Sequence, residues 1–316
     1  MSPTRPPSAA LVWVALALVY VIWGSTYLGI RVVVESLPPF GSAALRFSVA
    51  GSLLAAILAA TRGVDVLRVT WRQLGACAVV GMLLLAGGNG LVVLAESPRF
   101  GLPSGVAALV IALNPLIFVV LRRAAGERPR RATVMGLAVG LAGLVLLFLP
   151  GLGTGGGAHT LPVVGGALVL GATICWCVGS FATRWLPMPP NPFVASVYEM
   201  FAGALAMTVI AVLRGEATPW SVDNVPAKAW LALAYLIVFG SLVAFTAYVW
   251  LLHHAPISLV STYAYVNPVI ALALGALLAG EALTPQVLLA AAAVVFGVLL
   301  VVSVERPRAA DVEPAG

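Results

Sequence analysis

Two ionisable residues stand inside apolar stretches that have no ordinary use for them. Arg46 lies six residues into the stretch 40–60, Glu199 lies six residues into the stretch 193–213, and the two are 153 residues apart. A charge inside a bilayer costs about 2.5 to 3.5 kcal/mol on insertion scales, so each is a candidate for gating or coupling. Arg46 can snorkel to the interface or pair with Glu96, which ends the next apolar stretch at a compatible depth. The expectation is an Arg46–Glu96 pair that holds a gate. For Glu199 the available bases are Arg184, His253 and His254, none of them placed at its depth. A buried carboxylate without a basic neighbour is suited to proton exchange.

A second set of residues is polar and uncharged. Asn114-Pro115 and Asn267-Pro268 recur at the same spacing of 153. Proline inside a helix removes one backbone hydrogen bond and frees a carbonyl, which membrane depth tolerates only beside protein or a water-filled cavity. The two asparagines would then offer donors and acceptors near the bilayer midplane. Trp23, Thr26, Tyr27 and Asn89 precede the first break, and Trp176, Tyr248, Tyr263 and Tyr265 surround the second. Tyr263 and Tyr265 point about 200° apart on a helix, so at most one of them faces a common centre. With Asn114 and Asn267 these are the candidate substrate-contacting residues. Aromatic walls, amides and few charges suit a neutral, zwitterionic or weakly cationic solute with an apolar part. They suit phosphorylated solutes poorly, because those need several Lys or Arg.

The elements that must position these groups are membrane helices. Of 316 residues, 61% are hydrophobic and 9% charged, a surface solvated by lipid. Ten apolar stretches follow one another at 11–30, 40–60, 74–95, 103–122, 132–150, 163–185, 193–213, 229–251, 257–279 and 285–303. Each is close to the roughly 20 residues that cross a hydrocarbon core. The spacing of 153 also relates Trp23 to Trp176, Arg31 to Arg184, Pro39-Phe40 to Pro192-Phe193, Gly87 to Gly240 and Pro103 to Pro256. The chain is therefore a duplication of a five-helix unit. An odd number of crossings inserts the second copy upside down, the design of secondary transporters. The expected organisation is a tail over 1–10, a first repeat over 11–150, a Gly-rich linker over 151–162, a second repeat over 163–303 and a tail over 304–316.

Basic residues set the orientation. Arg5, Arg62, Arg68, Arg72, Arg122, Arg123, Arg128, Arg130, Arg131, Arg184, Arg306 and Arg308 fall on the side that holds both ends of the chain, against Arg31, Arg99, Arg214 and Lys228 opposite. By the positive-inside rule both termini are cytoplasmic. The formal net charge of +6 is thus a topology signal. A nucleic-acid footprint would gather those arginines on one face. Gly136, Gly140 and Gly143 in the fifth stretch and the Ala-rich 290–293 with Gly297 in the tenth let two backbones approach. These stretches are expected to pack together away from the cavity, self-association being the alternative.

Other signals are set aside. The run 11–30 is too long for a secretory h-region and aligns with the second copy, so it reads as the first helix. Cys77, Cys175 and Cys177 lie in apolar stretches without redox or zinc spacing. Gly151, Gly153 and Gly156 lack the strand-to-helix context of a dinucleotide fingerprint, and no phosphate-binding loop is present. No cofactor, metal or catalytic group is expected; an uncoupled facilitator is the alternative to a coupled transporter, and a channel, an intramembrane enzyme and a receptor or assembly factor are the weaker ones. The partners are a small-molecule solute, membrane lipids and, if transport is coupled, protons.

Trp23-Gly24-Ser25-Thr26-Tyr27, Arg46-Phe47, Gly88-Asn89-Gly90, Glu96, and Asn-Pro followed by Gly126-Glu127 and by Gly280-Glu281 resemble the EamA branch of the drug/metabolite transporter superfamily over nearly the whole chain. Ile22 to Gly51, Glu199-Met200 and Thr262 to Pro268 look most like its YedA-like bacterial inner-membrane members. The resemblance implies an all-α membrane protein with ten transmembrane helices in two inverted five-helix repeats around a central cavity, and export of small metabolites, amino acids or drugs from the cytoplasm. One departure is Cys177-Val178-Gly179-Ser180 in the second repeat, where the first has Gly24-Ser25-Thr26-Tyr27.

Overall fold

The computed structural model describes residues 9–126, 131–148, 163–216 and 225–305. The linker 151–162, Glu127 and the outermost parts of both tails lie outside the described residues. Among the described residues the regular structure is helical, without a strand. In chain order the apolar helices are α1 (Ala9–Val34), α2 (Pro39–Arg62), α3 (Trp71–Glu96), α4 (Ser104–Ala124), α5 (Arg131–Phe148), α6 (Val163–Ala182), α7 (Pro192–Leu213), α8 (Ala227–His254), α9 (257–279) and α10 (Pro285–Glu305). Seven of them are long and apolar enough to cross a membrane, and shorter apolar runs lie at Val134–Gly143, Val266–Ala279 and Pro285–Gly297.

Local chemistry sets the helix boundaries. Pro39 and Pro192 open α2 and α7 in the first turn, where a missing N–H costs nothing and a fixed φ helps. Thr70 and Gln73 form a reciprocal cap at the start of α3. Gly63, at φ 81°, ends α2, a conformation that glycine adopts without Cβ strain.

The two copies break their helices differently. In α4 the helix stops at Ile111 and restarts at Asn114, as Pro115 dictates. In α9 it stops at Val260 and restarts at Tyr263, with Pro268 inside the second piece. The break in α9 therefore does not sit beside Asn267-Pro268 as the sequence leads one to expect. Thr262 supplies a reason: its hydroxyl donates to the Leu259 carbonyl at 2.5 Å and also meets the Tyr20 hydroxyl, and such side-chain bonds compete with the helical ladder.

A second symmetric feature is invisible in the apolar pattern. α3 is a π-helix over Met82–Asn89 and α8 over Leu236–Phe245, stretches related by the repeat spacing to within a few residues. A π-helix widens the turn and swings side chains and carbonyls off the usual register, and it recurs at functional sites.

Repeat mates meet each other head to tail. Gly51 of α2 faces Met200 and Phe201 of α7, while Leu54 and Leu58 further along α2 share a cluster with Val194 and Val197 nearer the start of α7. Gly143 of α5 faces Ala293 and Val294 of α10, whereas Gly297 faces Gly136 and Gly140. Both pairs are antiparallel, the arrangement that an inverted repeat produces. The α5–α10 contact also matches the glycine and alanine faces read from the sequence, and Gln286 adds a hydrogen bond to the Leu146 carbonyl at 2.8 Å.

Candidate functional site

Between the repeats lies a cleft lined by helices of both copies. Trp23, Thr26 and Tyr27 of α1, Arg46 of α2, Asn89 of α3, Asn114 of α4, Trp176 of α6 and Tyr263 of α9 all line it. The π-helical stretches supply Leu85, Gly88 and Asn89 from α3 and Gly240 and Phe245 from α8. Both widened helices thus open onto the same space.

One end of the cleft is shut by aromatic rings. Trp23 meets Trp176, Tyr248 and Tyr263 with ring centroids 5.3, 4.9 and 5.3 Å away, and Tyr248 lies 5.2 Å from Trp176 and 5.9 Å from Tyr263. Hydrogen bonds lock the group. Asn114 Nδ2 donates to the Tyr263 hydroxyl at 2.5 Å, Trp176 Nε1 donates to the Tyr248 hydroxyl at 3.0 Å, and Ser180 shares a hydrogen bond with that hydroxyl at 2.7 Å. Phe118, Cys177 and Phe181 pack behind. Towards the other end, a narrower space continues past Arg46 and Ile30 to Val34 and Ser42, where α1 ends and α2 begins.

Arg46 is the charge of the cleft. It is 4% exposed, its Nε donates to Ser241 Oγ at 2.7 Å, and its guanidinium lies 4.8 Å from the centre of its neighbour Phe47. The expected pair with Glu96 is not formed. Arg46 turns instead towards α8, where Gly240 leaves room for it: a Cβ there would come within 2.9 Å of Nη2. Glu96 is buried, and among the described residues neither of its carboxylate oxygens has a hydrogen-bond partner. Arg31, at the same end of the molecule, has its own ion partner in Glu281 at 3.6 Å.

Glu199 is 1% exposed and does not line the cleft. None of its expected bases reaches it. The Arg184 guanidinium lies 3.8 Å above the Phe181 ring, and the Nδ1 atoms of His253 and His254 stay with the Val249 and Trp250 carbonyls at 2.9 and 2.8 Å. Its Oε2 has no hydrogen-bond partner among the described residues. Its backbone packs directly on Gly81 of α3, where a Cβ would overlap it.

Asn267 is buried behind the cleft. With its amide nitrogen turned to the carbonyls it donates to Tyr263 at 3.2 Å and to Tyr20 at 3.0 Å, which ties α9 to α1. Tyr248 forms part of the shut end without lining the open space. The side chain of Tyr265 lies outside the described ones. Sequence reasoning missed Gly240 and Ser241, which make the seat for Arg46. The signal was present in the Gly87–Gly240 repeat match, which marked where a helix would need a bare backbone. Among the described residues no cluster of His, Cys, Asp and Glu could hold a metal ion.

A helical membrane protein with two antiparallel-packed repeats around one aromatic cleft is defined by these features. The chain belongs to the EamA-like transporter family, whose model matches it twice, over residues 10–149 and 163–303. It is 38% identical over 288 residues to the uncharacterized inner membrane transporter YedA of Escherichia coli (strain K12), covering 91% of this chain and 89% of that one. A probable terminal-alkyne amino-acid exporter of Streptantibioticus cattleyicolor is 28% identical, with 92% of each chain covered. A solved structure described as a crystal structure of a protein aligns with a TM-score of 0.64 at 26% identity, covering 93% of this chain and 96% of the other.

Proposed function

We propose that the protein is a secondary transporter that exports small metabolites, amino acids or drugs across the bacterial cytoplasmic membrane by alternating access. The observation that carries this reading is the cleft itself, bounded by helices of both repeats, shut by the aromatic group at one end and continued past Arg46 at the other. The apolar stretches and the distribution of arginine support ten crossings with both termini in the cytoplasm. In that orientation the shut end faces the cytoplasm and the narrow extension faces outward. Rocking of one repeat against the other would break the contacts of Trp23, Tyr248 and Tyr263 and close the space around Arg46.

Glu199 is the candidate for proton coupling, since it is buried, lacks a basic partner among the described residues and sits where α3 and α7 pack closely against each other. An uncoupled facilitator is the second reading, favoured by the position of Glu199 outside the cleft. Transport by purified protein in proteoliposomes, with and without an imposed pH gradient, tests both. Gradient-driven accumulation supports coupling, equilibration alone supports the facilitator, and no solute movement contradicts both.

A further inference from the structure

The cleft holds a cation that no described residue neutralises. Arg46 is buried, and among the described residues its single protein hydrogen bond is Nε to Ser241 and no carboxylate lies within ion-pair distance of it. The guanidinium is anchored through Nε on Ser241 and its Nη2 packs against Gly240, itself a residue of the cleft lining, so the Nη groups lie at the wall of the space. A guanidinium offers two parallel donors that match a carboxylate, and a buried charge left unpaired is costly. Asn89, on the same lining, has a buried Oδ1 with no donor among the described residues. Thr26, Thr173 and Asn114 add uncharged polar groups to the lining, and much of the rest is apolar or aromatic, including Ile30, Phe47, Val92 and the rings of Trp23 and Trp176.

Resting on the transporter reading above, we infer that the cargo carries a carboxylate which seats on the Nη groups of Arg46, beside an apolar body packed against Trp23 and Trp176. The Asn89 carbonyl accepts from an amino or amide N–H on the same solute. This narrows the solutes that the uncharged walls would admit. Cationic amphiphiles without an acid group meet Arg46 as a like charge and are excluded.

The test is binding to the purified full chain in lipid nanodiscs, followed by titration calorimetry, of the apolar amino acids, each paired with its own carboxamide. The expected result is that at least one acid binds 10-fold or more tighter than its amide. In Arg46→Gln that preference falls to two-fold or less, while Arg46→Lys keeps part of it. Ser241→Ala, which frees the guanidinium from its anchor without removing charge, should weaken the acid several-fold and leave the amide unchanged. Equal binding of acid and amide to the unaltered protein, or an undiminished preference in Arg46→Gln, overturns the inference and leaves the cleft a solute site. No binding by any acid or amide overturns the inference and the reading of the cleft as a site for such solutes together. The size-exclusion profile and melting temperature of each variant separate loss of the site from loss of the fold.

Discussion

Glu281 closes the end of the helix that begins at Ser104. Its carboxylate accepts the Ser104 backbone N–H at 2.9 Å, the Ser104 hydroxyl at 2.7 Å and the Gly105 N–H at 3.1 Å. The first N–H groups of a helix have no partner within it and carry partial positive charge, so an anion from the neighbouring repeat is well placed there. Arg31 of α1 completes a three-way contact among α1, α4 and the connection into α10. Glu216 does the same for α2, accepting from the N–H groups of Phe40 and Gly41 at 2.8 and 3.1 Å.

Glu281→Ala should therefore destabilise the protein by about 0.5 to 2 kcal/mol, the range of a lost N-terminal cap. A lowered melting temperature in detergent checks it. Gly275→Ala should act in the same direction, because a Cβ there collides with the Glu281 carboxylate.

Two glycines of α3 should respond oppositely to substitution. A Cβ at Gly81 would overlap the backbone of Glu199, whereas nothing lies within 4 Å of one at Gly75. Gly81→Val should cost about 1 to 3 kcal/mol or more through overpacking. Gly75→Ala should be neutral or stabilise the helix by up to about 1 kcal/mol. Thermal unfolding of the two variants side by side decides the matter, and equal melting temperatures would contradict the close approach of α3 and α7.

Glu199→Gln keeps shape and hydrogen-bonding capacity while removing the titrating group. If Glu199 couples transport to protons, the variant still binds solute, but its transport rate no longer changes with pH. A pH–rate profile identical to that of the unaltered protein would remove Glu199 from the mechanism.

Asn267→Ala should weaken packing more than cargo binding. The amide bridges the carbonyls of Tyr20 and Tyr263 and does not line the cleft, so its removal should cost about 1 kcal/mol of stability, the scale of an ordinary hydrogen bond. Affinity should stay within two-fold. Asn114→Ala, which releases the Tyr263 hydroxyl at the shut end, should change transport rate more than Asn267→Ala does.

Composition and spacing carried the helical membrane class, the duplication and the α5–α10 contact, because apolar length and glycine faces are direct requirements of lipid and of close backbones. They also found residues that gather in the cleft, such as Trp23, Asn114 and Tyr263, because polar and aromatic groups deep in apolar stretches are rare. The partner of Arg46 was not legible. Depth along two helices places Glu96 as a candidate, but rotation about the helix axis decides contact, and the π-helical turn of α8 brings Ser241 there instead. Nor was the break at Thr262, since proline was the stronger local signal and the Tyr20 contact comes from another helix.

Counterflow tests the central claim most directly. Proteoliposomes containing the purified protein are preloaded with a millimolar unlabelled solute, each apolar amino acid in turn, and diluted into a trace of the same labelled solute. Alternating access predicts a transient, saturable overshoot of label for at least one of them, abolished without protein and reduced by Trp23→Ala. Label that only equilibrates, at a rate indifferent to the solute on the far side, would mean a pore, and label that never enters above the protein-free rate for any solute would contradict transport of this class.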